Sequence, residues 1–469
     1  MRHGNPGARE SKPGTCESRA TSLLAAAVVK AEGQRRDALS AIRAALEGSD
    51  PRRLVRRALA LDGDALSVGD RRYHLDAFRK IVVVGAGKAS GLMAAEMELL
   101  LGERINEGVV IIPENQSSSI NLKRIRLEKS SHPLPARKGV HATRNALKTL
   151  DRVDKRDLLI FLFSGGGSSL MPLPGSGITL EELRAATMLL LNSGADIEEI
   201  NCVRKHISQI AGGRLVERAL GAEVISLIVS DVVGDNPASV ASGPTVPDPT
   251  TFRMARDVLE RHKIWDSVPL SVRAVIQSGV GGRIKETPKP GDPAFARVHN
   301  FVIGSNSDAC TAAQKALEDL GYRVKYLKEH VTGEARSVGK LLAGLAVSNA
   351  PHRKWAVVTG GETTVTVRGK GRGGRNQELA LSAALALRGE RETTLVPFAT
   401  DGIDGPTEAA GAIADTSTCN RARRLGLNPS QSLKSNDSYT FFRTLGDLIV
   451  TGPTGTNVND VMIVLGSGR

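Results

Sequence analysis

Three side chains stand where a cation or a carboxylate could act on a phosphoryl group: Lys88, Arg375 and Asp401. Lys88 closes the turn Gly85-Ala86-Gly87-Lys88 and opens a helical pattern. A lysine there opposes the positive end of the helix dipole, and a nearby anion would offset that. Either it binds a phosphate or carboxylate, or it points to solvent from a tight turn. The turn is not a Walker loop, because the Gly-x4-Gly-Lys-Ser/Thr spacing is absent. It is closer to the dinucleotide fingerprint GxGxxG, with Ser90 in the last glycine's place. Arg375 ends Gly369-Lys370-Gly371-Arg372-Gly373-Gly374, the densest mixture of glycine and cation in the sequence, and Asn376 opens the next helical pattern. A flexible positive loop at a helix start suits a triphosphate or a developing phosphoryl charge. Asp401 follows the strand-like run Thr394 to Ala399 after a single threonine. A strand-end carboxylate there suits a general base or a magnesium ligand. Asp404, beside Gly405, fits the chemistry of an Asx turn.

Other loops add to this set. Ser164-Gly165-Gly166-Gly167-Ser168 follows an apolar run, and three consecutive glycines cost backbone entropy. A phosphate cradle using the serine hydroxyls is the functional reading, and an unusual turn is the plain one. Asp231 and Asp235, four apart in a loop, suit Mg²⁺ or, alternatively, capping. Thr454-Gly455-Thr456-Asn457 has the make-up of a phosphate-binding turn. His132 and His206 are isolated, so zinc is not indicated. With no Gly-x-Ser-x-Gly, a serine hydrolase is poorly supported.

Such loops need a frame that gathers them. Ile81 to Val84, Val109 to Ile112, Leu158 to Phe163 and Val224 to Val229 are short, all-apolar runs, the signature of strands buried on both faces. Helical patterns separate them, so βαβ crossovers build a Rossmann-like, doubly wound parallel sheet with ligands at the strands' carboxyl ends. After a Gly-, Pro- and charge-rich linker at 281–299, the alternation restarts. Strands are expected at 301–303, 324–327, 355–359 and 394–399, helices at 308–320 and 376–387, and an exposed hairpin partner at 363–368. The chain is therefore α/β with two domains, 21–280 and 300–469. Residues 1–20, rich in Gly, Pro, Arg and Ser, read as a disordered tail. A transit peptide is the weaker alternative, given Glu10 and Glu17.

Composition narrows the classes. Aromatics are 3% of the 469 residues, which argues for an aliphatic core and against base-stacking platforms. The formal charge of +13 is dispersed, as on a solvated face that helps steer an anionic nucleotide rather than nucleic acid. Cys16, Cys202, Cys310 and Cys419 lie far apart, which fits a reduced cytoplasm rather than a disulfide scaffold. No apolar run is long enough to cross a membrane. The oligomeric state is open, with a homodimer among the options.

The ordered motifs resemble the class II glycerate kinases, the glycerate 2-kinase family with a DUF4147 domain and a C-terminal MOFRL domain. The resemblance is carried by Val84 to Ala89, Ser164 to Ser168, Asn201 to Lys205 with Ser208, and Ser230 to Asp235. Ala241 to Thr245, Ile303 to Asn306, Gly360 to Thr363, Gly371 to Glu378, Thr400 to Gly411, Asn436 to Ser438 and Thr454 to Asp460 complete it. It covers roughly residues 40–469. It implies an ATP- and Mg²⁺-dependent kinase acting on D-glycerate, usually giving 2-phosphoglycerate, with its site in the cleft between the two α/β domains. Lys88, Arg375 and Asp401 match positions the family implicates in catalysis or phosphate handling. Lys88 and Arg375 would also hold the substrate. Some relatives carry a hydroxypyruvate reductase label. That rival would need an acidic ribose-binding residue, for which the sequence offers no clear candidate.

Overall fold

A computed structural model describes residues 19–116, 120–348, 354–387 and 392–467. The expected tail lies outside these residues up to position 18; Arg19 opens the first helix, Arg19–Lys30.

The apolar runs become the centre of a six-stranded sheet. Its strands are β1 (Ile81–Ala86), β2 (Ile105–Pro113), β3 (Ile125–Ser130), β4 (Leu158–Ser164), β5 (Glu223–Val229) and β6 (Val298–Gly304). All pair in parallel, in the order β3-β2-β1-β4-β5-β6. This is the strand order of dinucleotide-binding folds. Successive side chains point to opposite faces, and both faces are covered. Val83, Ile160 and Leu162 enter one core, while Val82, Val84, Phe161 and Phe163 enter another. The order reverses between β1 and β4, which opens a crevice at their carboxyl ends. The loops Gly85 to Lys88 and Ser164 to Ser169 leave from there.

A second, mixed sheet has β7 (Arg323–Glu334), β8 (Lys354–Thr364), β9 (Thr393–Ala399) and β10 (Asp460–Ser467) in the order β7-β8-β10-β9, extended by short strands. β10 runs antiparallel to both neighbours. A small antiparallel sheet, Leu59–Asp62, Ala65–Val68 and Arg71–His74, stands apart.

The expected boundary between halves is corrected in two places. The strand expected to open the second half is β6, and it pairs with β5 at the edge of the first sheet. The linker region therefore ends inside a strand. The helix Gly33–Gly48, expected in the first half, packs on the helix Asn306–Asp319 and on the second sheet. Arg35 forks onto Asp415, at 2.9 and 2.6 Å, and reaches Asp447 at 2.6 Å. Ile42, Ala45, Ala309 and Ala313 join Val83 and Ile160 of one sheet with Val396 and Ile463 of the other in a single core. The hairpin partner at 363–368 does not form; Thr363 and Thr364 finish β8, and the chain then runs irregularly into the glycine loop.

Candidate active site

The two glycine turns of the first sheet are bonded to one another. A Cβ on Gly87 (φ +151) would sit 2.0 Å from Ser164 Oγ, so only glycine lets the turns meet. Lys88 N donates to Gly165 O at 2.9 Å and Ala89 N to Ser164 Oγ at 2.9 Å. Ser90 Oγ donates to Leu162 O at 2.9 Å, and a Cβ on Gly85 would meet the same carbonyl at 2.4 Å. The result aims the Lys88 side chain outward over Gly166, whose added Cβ would lie 3.4 Å from Lys88 Cγ.

The glycine loop of the second half is held by a different device. Asp404 accepts from Asn376 N at 3.1 Å and Gln377 N at 2.9 Å, capping the helix Arg375–Ala386 from a distant loop. Burial pushes Asp404 up to about 6, opposed by these amides. Arg375 grips Asp460 of β10 through Nε at 2.6 Å and Nη2 at 3.0 Å, and Glu362 of β8 through Nη1 at 2.5 Å. Asp460 is fully buried; desolvation raises it to about 7 against the pull of Arg375. Burial works against the Arg375 charge too, but its two carboxylates more than offset this, and its pKa rises.

These groups face one cleft with two lobes. The larger, about 770 Å³, is lined by Lys88, Asp231, Glu362, Gly374, Arg375 and Asp401, among others. The smaller, about 330 Å³, is lined by Lys88, Gln116, His132, Asp401, Gly455 and Thr456, among others. Lys88 and Asp401 belong to both, and Lys88 Nζ lies 2.8 Å from Asp401 Oδ2. Asp231 rests on Gly165, where a Cβ would be 1.8 Å from its Oδ2, and accepts from Asn457 Nδ2 at 2.9 Å. Burial raises Asp231 to about 6, with Lys88 opposing. Burial, then Lys88, lower His132 to about 4, so its imidazole is neutral at pH 7.

Comparisons with known proteins identify the family. The domain of unknown function DUF4147 matches residues 37–277 and the MOFRL family matches 355–460. A glycerate 2-kinase of Pyrococcus horikoshii is 42% identical over 90% of this chain and 94% of its own length. A D-glycerate 2-kinase of Thermotoga maritima is 41% identical over 82% and 90%. The chain belongs to the glycerate 2-kinase family. A crystal structure of a glycerate kinase from Thermotoga maritima superposes with a TM-score of 0.78 at 37% identity, covering 95% of this chain and 99% of that one. A putative hydroxypyruvate reductase of Agrobacterium vitis is 41% identical over 82% of this chain and 87% of its own length.

Within this glycerate 2-kinase framework, the residues singled out in the sequence divide. Lys88, Arg375, Asp401, Asp231, Gly373, Gly374 and Asn457 line the larger lobe, and Gly455 lines the smaller. Ser164, expected to offer a hydroxyl to phosphate, is buried and holds the Lys88 turn. Ser168 Oγ lies 2.9 Å from Ser242 Oγ, and Gly167 packs against Ala241. Asn376 is buried, and Thr454 Oγ1 donates to Thr400 O at 2.6 Å. Asp235 (φ +53) lines neither lobe, whereas Asp231, expected to share a metal with it, lines the larger. Among the described residues no group of three or more His, Cys, Asp or Glu is placed to hold a metal. Sequence reasoning gave no role to Glu362 or Asp460. Glu362 carried a signal, standing just after the strand expected at 355–359; Asp460 carried none, because the strand it opens was not expected.

Proposed function

We propose that this protein transfers the γ-phosphoryl group of ATP to the C2 hydroxyl of D-glycerate, giving 2-phosphoglycerate and ADP. One observation carries the reading: the Lys88–Asp401 pair stands on the partition between a large lobe rich in carboxylates and a small, mostly neutral one. Phosphoryl transfer needs in-line positioning and charge neutralisation rather than covalent chemistry. The larger lobe has the volume of a nucleotide site. The smaller, with Gln116, Thr456 and neutral His132 on its wall, suits a three-carbon hydroxy acid.

In this reading Asp401 accepts the proton of the C2 hydroxyl and orients its oxygen at the partition. Lys88, released from Asp401 as the phosphate arrives, offsets charge on the transferring oxygens. Arg375 is fixed by Asp460 and Glu362 and faces the phosphates as a preorganised fork. The donor set fits Mg²⁺, since Asp231 and Glu362 offer hard oxygens and this cation typically takes one or two carboxylates plus phosphate and water. Bound there, Mg²⁺ would supply neutralisation of the polyphosphate charge. A division into a DUF4147 unit and a MOFRL unit, each supplying one wall, belongs to the same proposal. The buried thiols of Cys202 and Cys310 support a cytoplasmic setting.

Purified protein with ATP, Mg²⁺ and D-glycerate should release ADP, and phosphorus NMR should show the 2-phosphate. A reductase has one observation in its favour. The topology places Glu114 just after β2, where dinucleotide folds keep their ribose-binding acid. Its carboxylate is instead paired with Lys138 at 2.8 Å, and it lines neither lobe. NAD(P)H oxidation with hydroxypyruvate, without ADP release from glycerate, would reverse the assignment.

A further inference from the structure

Two motifs remain without a task in the cleft: Asn201 to Lys205 with Ser208, and Ala241 to Thr245. They meet at a small cavity of about 40 Å³ lined by Ser168, Arg204, Ser208, Ala241 and Ser242, with apolar walls from Met171, Leu173 and Leu183. It shares no lining residue with either lobe of the cleft.

Arg204 is the anomaly. Arg35, Arg79, Arg336 and Arg375 each meet a carboxylate. Arg204 is partly buried and, among the described residues, has neither an ion-pair nor a hydrogen-bond partner. Burial alone lowers its pKa, with no acid acting against it. A partly buried guanidinium that meets no carboxylate lacks the compensation these four arginines have. It also presents five N–H donors in a planar fork suited to oxyanions. Ser208 adds to the donor excess. Its Oγ accepts from Ile210 N at 3.2 Å and Ala211 N at 3.3 Å, and the structure gives its own proton no acceptor. A single water takes roughly 10–15 Å³ of such space, so the cavity has room for about three waters or one small oxyanion.

We propose that Arg204 and Ser208 form a second anion subsite that takes one small oxyanion, a phosphate or a carboxylate. The subsite is connected to the cleft by a single short element. The helix Gly167–Leu170 carries Ser168, which lines the subsite and meets Ser242. Directly before it come Gly165 and Gly166, which lie against Asp231 and Lys88. An anion on Arg204 would therefore steady the turn that supports both.

The test is binding, independent of which acceptor the enzyme phosphorylates. Calorimetric titration of full-length Lys88→Ala protein with inorganic phosphate, in a zwitterionic buffer, removes the cleft cation that no second carboxylate holds, while Arg375 stays engaged by Asp460 and Glu362. One phosphate per chain should bind, and adding Arg204→Met should weaken it about tenfold or more. Acetate as a competitor separates the two sources: displacement of phosphate identifies a carboxylate-tolerant site, and no displacement a phosphate-selective one. Equal affinity with and without Arg204, or no binding of either anion, would overturn the proposal. A second readout guards against a folding artefact. Without anion, Arg204→Met should melt at or above the wild-type temperature, because an uncompensated charge is gone. A clear fall would show that Arg204 has a structural role instead.

Discussion

Arg375 and Asp460 are joined by two hydrogen bonds, Nε to Oδ2 at 2.6 Å and Nη2 to Oδ1 at 3.0 Å, although one opens a helix and the other a strand 85 residues later. Asp460 has no exposed surface, whereas Arg375 keeps 30% of its side chain accessible. Asp460→Asn places an amide donor against the guanidinium and leaves the arginine only Glu362. Removing one partner of a fully buried pair destabilises by about 3–5 kcal/mol. The partial exposure of Arg375 should bring this to about 2–3 kcal/mol. Urea unfolding measures it, and an unchanged midpoint would show the clamp to be unimportant for stability.

Lys88→Ala and Asp401→Asn should each lower kcat by roughly 10²–10³, the range for losing a preorganised charge or a general base. The pair share one hydrogen bond, so the double variant should fall well short of the product of the single losses. Near-normal turnover in both single variants would remove them from the mechanism.

Asp231 supplies a pH dependence with opposite signs for activity and stability. Its pKa is raised from 3.8 to about 6 in the fold. Below about pH 6 it is protonated and loses its affinity for a cation, so kcat/KM for the Mg²⁺ nucleotide should fall on the acid side. For stability, the folded form holds the proton more tightly than the unfolded one. The contribution of Asp231 is therefore fully present below about 4 and is lost as pH rises through about 6. Asp231→Asn should melt higher than wild type at pH 7, and this advantage should shrink by pH 5. An acid limb unchanged in Asp231→Asn would assign it to another group.

Gly165→Ala tests the floor of the cleft. The added carbon would lie 1.8 Å from Asp231 Oδ2, so the carboxylate or the turn must move. Overpacking of this kind costs about 1–3 kcal/mol. The variant should fold, melt lower and bind Mg²⁺ nucleotide more weakly, which a nucleotide titration would reveal. Unaltered nucleotide binding would separate Asp231 from the cation.

The four central strands of the first sheet were legible because each holds an all-apolar run, and such runs have few other homes; β3, with the sequence IRLEKS, holds none and was not expected. Lys88 was legible because it stands beyond one of those runs, and Asp401 because it stands just beyond the apolar Leu395 to Ala399 of β9 in the second sheet. The hydroxyl of Ser164 was not. A serine beside three glycines has backbone amides within reach, and Ala89 N claims it before any ligand can. The destination of Gly33–Gly48 was also hidden. An amphipathic pattern specifies that a face is buried, not which sheet buries it. β10 was masked because Val461 to Leu465 directly follow Thr454 to Asp460, and the motif draws the reading away from the strand. The small sheet at 59–74 escaped because its strands are four residues each and carry Arg71 and Arg72 in one of them.

The position of β10 governs how the site comes into being. β8 and β9 never touch; each is bonded to β10, which lies later in the chain than both. During synthesis Arg375 emerges well before its buried counter-ion, which opens the last of these strands. The clamp on Arg375 is thus completed only when the final strand slots between its two predecessors, and the same strand delivers Val461, Ile463 and Leu465 to the interior that the two sheets hold in common.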